Sequence, residues 1–217
     1  MRGTKLVRSI SVAAVLAMFA ISIFAQQKLT HSLSVAEPEL ASPCAAPSFD
    51  PFLYPNMLKN PSFNTVGPLG ITTSWTGPLP YPFPPSAAAD WGAHNSNFGA
   101  VISTRMMPST GPQGPRMLYI RTGGNEGGVI QTFSSEHPGS AKIIGAAWVF
   151  VRHGNAQIGI HADGAPSVYA LSTKIGEWEL LKVCSDGNST NSMFFVINQD
   201  ANGGDFYVDA AAVVVSP

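Results

Sequence analysis

Charge is scarce in this chain. Asp, Glu, Lys and Arg make up 12% of 217 residues, with 12 Lys and Arg nearly balancing 13 Asp and Glu. A nucleic-acid partner is excluded on that ground, because phosphate binding needs a clustered basic surface and these cations are scattered. Cysteine is nearly absent too: Cys44 and Cys184 stand 140 residues apart, and neither has the Cys-x-x-Cys partner of a zinc or redox motif. No Gly-x-Ser-x-Gly, His-Glu-x-x-His or Cys/His constellation occurs, and most acids occupy turns, so the facing carboxylates of glycoside hydrolysis have no visible counterpart. This argues against an enzyme. Long apolar runs are missing beyond one, Ile10 to Phe24, whose 15 residues fall short of the roughly 20 that cross a bilayer.

That run has another use. Arg2, Lys5 and Arg8 precede it and Ala25 ends it before Gln26, the pattern of a secretory signal cut after Ala25. No Cys stands directly after the run for lipid attachment and no other long apolar run occurs, so no membrane span is expected after cleavage, and the product is predicted to be secreted or periplasmic. Cleavage removes three cations and no anions, leaving nine against 13, a net charge of −4.

What the chain has in quantity is Gly (21) and Pro (18), which suits short strands joined by turns better than helices. From Gln26 to Pro55, five prolines and no sustained period of 2 or 3.6 indicate an arm or linker over residues 26–55, with a domain over 56–217. Beyond Asn56 strand-like runs recur between turn residues: RMLYIRT, GVIQTFS, KIIGAAWVFVRH, AQIGIHA, WELLKVCS, MFFVINQ and DFYVDAAAVVV. Their spacing of roughly ten to fifteen residues predicts an all-β sandwich rather than βαβ units. The stretch from Gly67 to Pro115 reads as irregular, since proline forbids regular ladder pairing, and long irregular segments often carry function. In an oxidising compartment Cys44 and Cys184 form either one disulfide pinning the arm to the body, worth about 4 kcal/mol in the chain-entropy model, or two separate thiols.

Five stretches resemble one family pattern. LKNPSF (Leu58 to Phe63), followed by Trp75, is similar to the Leu-x-Asn-Gly-x-Phe-Glu opening of secreted carbohydrate-binding modules with the galactose-binding-like jelly roll. GGVIQTF resembles their Gly-x-x-Gln strand, IIGAAWVFVR their aromatic strand, GEWELLKV their Gly-x-Trp-x-x-Leu strand and DFYVDAAAVV their closing strand. The resemblance covers Asn56 to Pro217 and implies a jelly-roll β-sandwich of two antiparallel sheets. NMLKNPSFNT then becomes the opening strand, with Leu58 and Phe63 turned inward. The resemblance also implies a structural Ca²⁺ held by the opening and closing motifs, here Asn64 and Asp209. This chain has Asn64 where the family has Glu and Ala210 where it has a second Asp, which weakens such a site.

Sugar binding calls for an exposed aromatic plane with a few directional polar groups. Trp91, with His94 nearby in DWGAHNSNF, is one candidate, either as a ligand platform or as a lid on the core. In the run Ile143 to Arg152, a period of two puts Ile144, Ala146, Trp148, Phe150 and Arg152 on one face and Ile143, Gly145, Ala147, Val149 and Val151 on the other. The small aliphatic set suits the interior, leaving Trp148 and Arg152 for a ligand surface, or Trp148 for a second apolar layer. His161 extends that surface if its strand neighbours this one. The expectation is a non-catalytic secreted module holding a glycan or cell-surface polysaccharide against Trp91, His94, Trp148, Arg152 and His161. Its rival is an extracytoplasmic structural or adhesion domain that makes protein contacts without sugar.

Overall fold

The structure, a computed structural model, describes residues 49–70, 72–75, 84–94, 100–105, 112, 116–124, 126–134, 142–162, 165–186 and 192–215, all within the compact unit Ser42–Pro217. The expected signal and most of the expected arm lie outside these residues. Among them no helix is long and apolar enough to cross a membrane.

Eleven strands are described: β1 (Thr72–Trp75), β2 (Gly92–His94), β3 (Ala100–Arg105), β4 (Met117–Thr122), β5 (Gly128–Phe133), β6 (Ile143–His153), β7 (Gln157–Ala162), β8 (Val168–Leu171), β9 (Trp178–Ser185), β10 (Ser192–Ile197) and β11 (Gly204–Val215). They form two antiparallel sheets, one of six strands in the order β1-β3-β4-β11-β6-β9 and one of five in the order β2-β5-β10-β7-β8. This is the expected two-sheet sandwich. All seven strand-like runs are strands. The stretch from Gly67 to Pro115 is not wholly irregular, however: it supplies β1, β2 and β3. TTSW, GAH and AVISTR contain no proline, so the prolines of this stretch flank the ladders instead of interrupting them.

The core lies between the sheets. Val149, Val151, Phe206, Val208 and Leu118 of the larger sheet meet Val129, Ile158, Ile160, Phe194 and Val196 of the smaller one, all buried. Burying each such side chain contributes about 1.5–3 kcal/mol. Gly145 marks the closest approach, since a Cβ there would come within 2.9 Å of Phe194 Cε2 and 3.0 Å of Ile160 Cδ1 in the facing sheet.

The opening motif folds differently from its expected form. Leu58 and Phe63 do point inward, 5% and 0% exposed, but residues 56–64 form no strand. They form a tight turn with Asn60 and Phe63 at positive φ, 45° and 56°. Its attachment is to β11. That strand pairs with β4 only from Gly204 to Val208; beyond a bulge between Asp209 and Ala211 its free edge is taken by the opening turn. Met57 N–H donates to Val213 O, Ala211 N–H to Pro61 O, and the Asn56 side chain accepts from Val213 N–H and Leu58 N–H while donating to Ala211 O. Across the sandwich Gln131 repeats the device: its amide accepts from Lys59 N–H at 2.6 Å and donates to Lys59 O at 3.0 Å. Two side-chain amides thus stand in for a strand ladder, which explains why Asn and Gln occupy these positions.

The last residues of the expected arm also pack on the domain. Phe49 joins Ile144, Cys184 and Val214, Pro51 is buried, and Phe49 O accepts from Lys182 Nζ at 2.8 Å.

Asn56→Ala removes three hydrogen bonds, each worth about 1 kcal/mol; it is expected to lower stability by about 3 kcal/mol, seen as a lower denaturant midpoint with an unchanged slope. Gly145→Ala overpacks the interface between sheets and is expected to cost about 1–3 kcal/mol in the same measurement.

Candidate functional site

The two sheets turn different surfaces outward. On the six-stranded sheet, period-two alternation puts Trp148 and Arg152 on the face away from the core, as expected for β6. Trp148 is half-buried between Asp209 on β11 and Leu180 on β9. Arg152 is exposed and pairs with Asp205 at 3.6 Å, whose carboxylate, aided by Tyr207, pushes the guanidinium still higher in pKa. The rest of this face is sealed by its own rings: Tyr119 and Tyr207 lie 4.9 Å apart and buried, and Phe150 stands edge-on to both Tyr207 and Trp178. This cluster forms a second apolar layer on the outer face of the sheet.

Trp91 must be corrected. It is 1% exposed, packed on Phe63 at 5.1 Å and edge-on to Phe194 at 6.3 Å, with its indole N–H donating to Asn60 O at 3.2 Å. Its place just before β2 in an otherwise polar stretch is a core anchor for the opening turn, so it offers no platform to a ligand. His161 is corrected as well, because β7 pairs with β10 and β8 in the five-stranded sheet and not with β6. Trp148 and Arg152 therefore lie on one side of the sandwich and His94 and His161 on the other. The five predicted residues do not form one site.

The outward face of the five-stranded sheet gathers a different set. Register places His94, Gly128, Ile197, Gln157 and Leu171 in one row across the strands, and Gly92, Ile130, Phe195, Gly159 and Tyr169 in the next. Thr132, Met193 and His161 make a third. In the middle row Gly159 leaves room that Phe195 fills, since a Cβ there would run into the Phe195 ring. Phe195 lies 8% exposed as a floor, with His94 stacked at 6.4 Å on one side and Tyr169 tilted at 5.8 Å on the other. Tyr169 is 56% exposed and Leu171 47%. Polar groups rim this row of rings: His161, whose Nδ1 lies 2.8 Å from Ser167 Oγ, exposed Thr132, and Gln157, whose Oε1 accepts from Gln199 Nε2 at 2.9 Å. Sequence reading missed Tyr169 and Phe195. VYAL is too short to show a period, and Phe195 alternates with Phe194 and Val196 in a run apolar on both faces.

The two expected calcium ligands stand in different surroundings. Asn64 is exposed, its side-chain amide donates to Ser62 Oγ, and its carbonyl accepts from the cationic Arg116 guanidinium at 3.1 Å. Asp209 is 0% exposed at the β11 bulge. Among the described residues no three His, Cys, Asp or Glu side chains gather as a metal site. Of the expected disulfide, Cys184 is buried beside Ile144, Val214 and Phe49, and Cys44 lies outside the described residues.

No protein-family model matches the sequence, and no curated protein does. Solved structures do match. A Bacteroides thetaiotaomicron VPI-5482 protein, named only provisionally as sugar binding, is 9% identical with a TM-score of 0.52, over 75% of this chain and 100% of that one. The enzymatically active domain of bacteriophage CBA120 tailspike protein 4 is 9% identical with a TM-score of 0.51, over 77% of this chain and 22% of that one. TmCBM61, solved in complex with β-1,4-galactotriose, is 14% identical with a TM-score of 0.49, over 75% of this chain and 100% of that one. At these identities the likeness is one of fold: the chain is a jelly-roll β-sandwich.

Burial pushes the His94 imidazole below its ordinary value near 6.5, with Glu126 opposing. A base whose folded pKa is depressed contributes stability that is fully present above its unfolded value and lost as pH falls through the folded one. The denaturant midpoint is therefore expected to drop as pH falls below the ordinary imidazole value of about 6.5. In His94→Phe, which keeps a ring against Phe195, that drop should be smaller; an equal drop would place the acid sensitivity elsewhere.

Proposed function

We propose that this is a non-catalytic, secreted carbohydrate-binding domain that holds a glycan on the outward face of its five-stranded sheet. The observation that carries this reading is the row of rings His94, Phe195 and Tyr169, exposed at the Tyr169 end and rimmed by His161, Thr132 and Gln157. A sugar ring presents apolar C–H faces and hydroxyl edges, so it matches a flat aromatic flanked by donors and acceptors. Solved relatives in fold include a protein named provisionally as sugar binding, which agrees with the reading. The six-stranded face is the weaker choice, because its tyrosines are buried under neighbouring rings and Arg152 is engaged by Asp205. A bond between Cys184 and Cys44 belongs to the same proposal, since export supplies the oxidising compartment and Phe49, five residues from Cys44, packs beside Cys184.

The rival reading, a structural or adhesion domain, needs a protein partner and no glycan. Titration against an array of soluble and insoluble polysaccharides separates the two. Tyr169→Ala is expected to weaken glycan binding at least tenfold, about 1.4 kcal/mol, without lowering stability, because the ring is largely exposed. Arg152→Ala, on the opposite face, should bind like the parent protein. The reverse pattern would move the site to the six-stranded sheet, and no retention on any glycan would favour the rival.

A further inference from the structure

Charge is divided unequally between the sheets. The five strands of the smaller sheet read GAH, GVIQTF, QIGIHA, VYAL and SMFFVI, with no Asp, Glu, Lys or Arg among them. Every Lys or Arg carried by a described strand, namely Arg105, Arg121, Arg152 and Lys182, belongs to the six-stranded sheet. Of the remaining cations among the described residues, Lys142 directly precedes β6, Arg116 directly precedes β4 and bonds Asn64 O, and Lys59 lies in the opening turn. Lys174, in the connection between β8 and β9, faces Glu177 at 3.5 Å.

This has a chemical consequence for the face that carries the aromatic row. A uronate, sulfate or phosphate group settling over Phe195, Ile130 and Tyr169 would lose its water shell with no guanidinium or ammonium to replace it. Hydroxyls lose less on transfer and find acceptors and donors in Gln157, His161 and Thr132. The formal charge of the whole chain, −1, supplies no long-range attraction for a polyanion either. His94 adds no fixed charge, being held toward its neutral form by burial.

Resting on the glycan-binding reading above, we infer that the ligand of this face is an uncharged polysaccharide, one built of neutral sugars without uronate, sulfate or phosphate substituents. Selection is by the absence of a counter-charge: neutral chains dock on the ring row, and acidic chains of similar backbone are rejected.

The test titrates the full-length mature protein at low salt against neutral polymers (galactan, xylan, mannan) and acidic ones (polygalacturonate, alginate, a sulfated galactan). Binding to one or more neutral polymers, with every acidic polymer at least tenfold weaker, is the expected result. Thr132→Lys, at an exposed position of the same face, is expected to gain acidic-polymer binding that fades as salt is raised, while leaving stability unchanged. Acidic polymers binding as tightly as neutral ones would overturn the inference and leave the glycan-binding reading standing. Retention of neither class would overturn both.

Discussion

The free edge of β11 past its bulge is the constraint on which the rest of this sandwich depends. β11 runs through the middle of the six-stranded sheet, pairing with β6 along nearly its whole length but with β4 only as far as Val208. The bulge takes the strand away from β4 and would leave the backbone groups of Ala211 and Val213 unpaired on that side, a costly outcome for buried residues. The opening turn closes the gap through Met57, Pro61 and the Asn56 amide, and in doing so brings Phe63 into the core beside Trp91. Gln131 then ties the same turn to the other sheet. One short segment thereby joins the two layers and sets where the segment leading to β2 begins.

From that joint the two outward faces acquire different characters. The six-stranded face is covered by its own aromatic cluster and by the docked Phe49, and it carries Arg121, Arg152 and Lys182 together with Asp205. The five-stranded face has no fixed charge on its strands, and Gly159 leaves the Phe195 ring room to lie across β7, between the rings of His94 and Tyr169. A surface of that kind suits flat, uncharged, hydroxyl-rich ligands.

Much of the architecture was legible in the sequence. Seven runs with period-two alternation or continuous β-branched content became strands, because strand geometry is a local consequence of side chains alternating about an extended backbone. The inward set on β6 was readable for the same reason, and so was the inward direction of Leu58 and Phe63. What was lost was non-local. Trp91 read either as a ligand platform or as a lid on the core, and the choice is made by Phe63 and Phe194, which reach it from elsewhere in the chain and bury it.

The sequence by itself therefore determined an all-β chain with its turns, most of its strands and the inward face of β6, since these follow from patterns a few residues long. Only the tertiary structure decided which strands share a sheet. That pairing put His161 beside Met193 and not beside Arg152, brought Tyr169, Phe195 and His94 into one row, and separated the charged sheet from the uncharged one. The physical reason is that sheet order is set by hydrogen bonds between segments far apart in the chain, and alternation within a strand carries no information about the neighbour it will find.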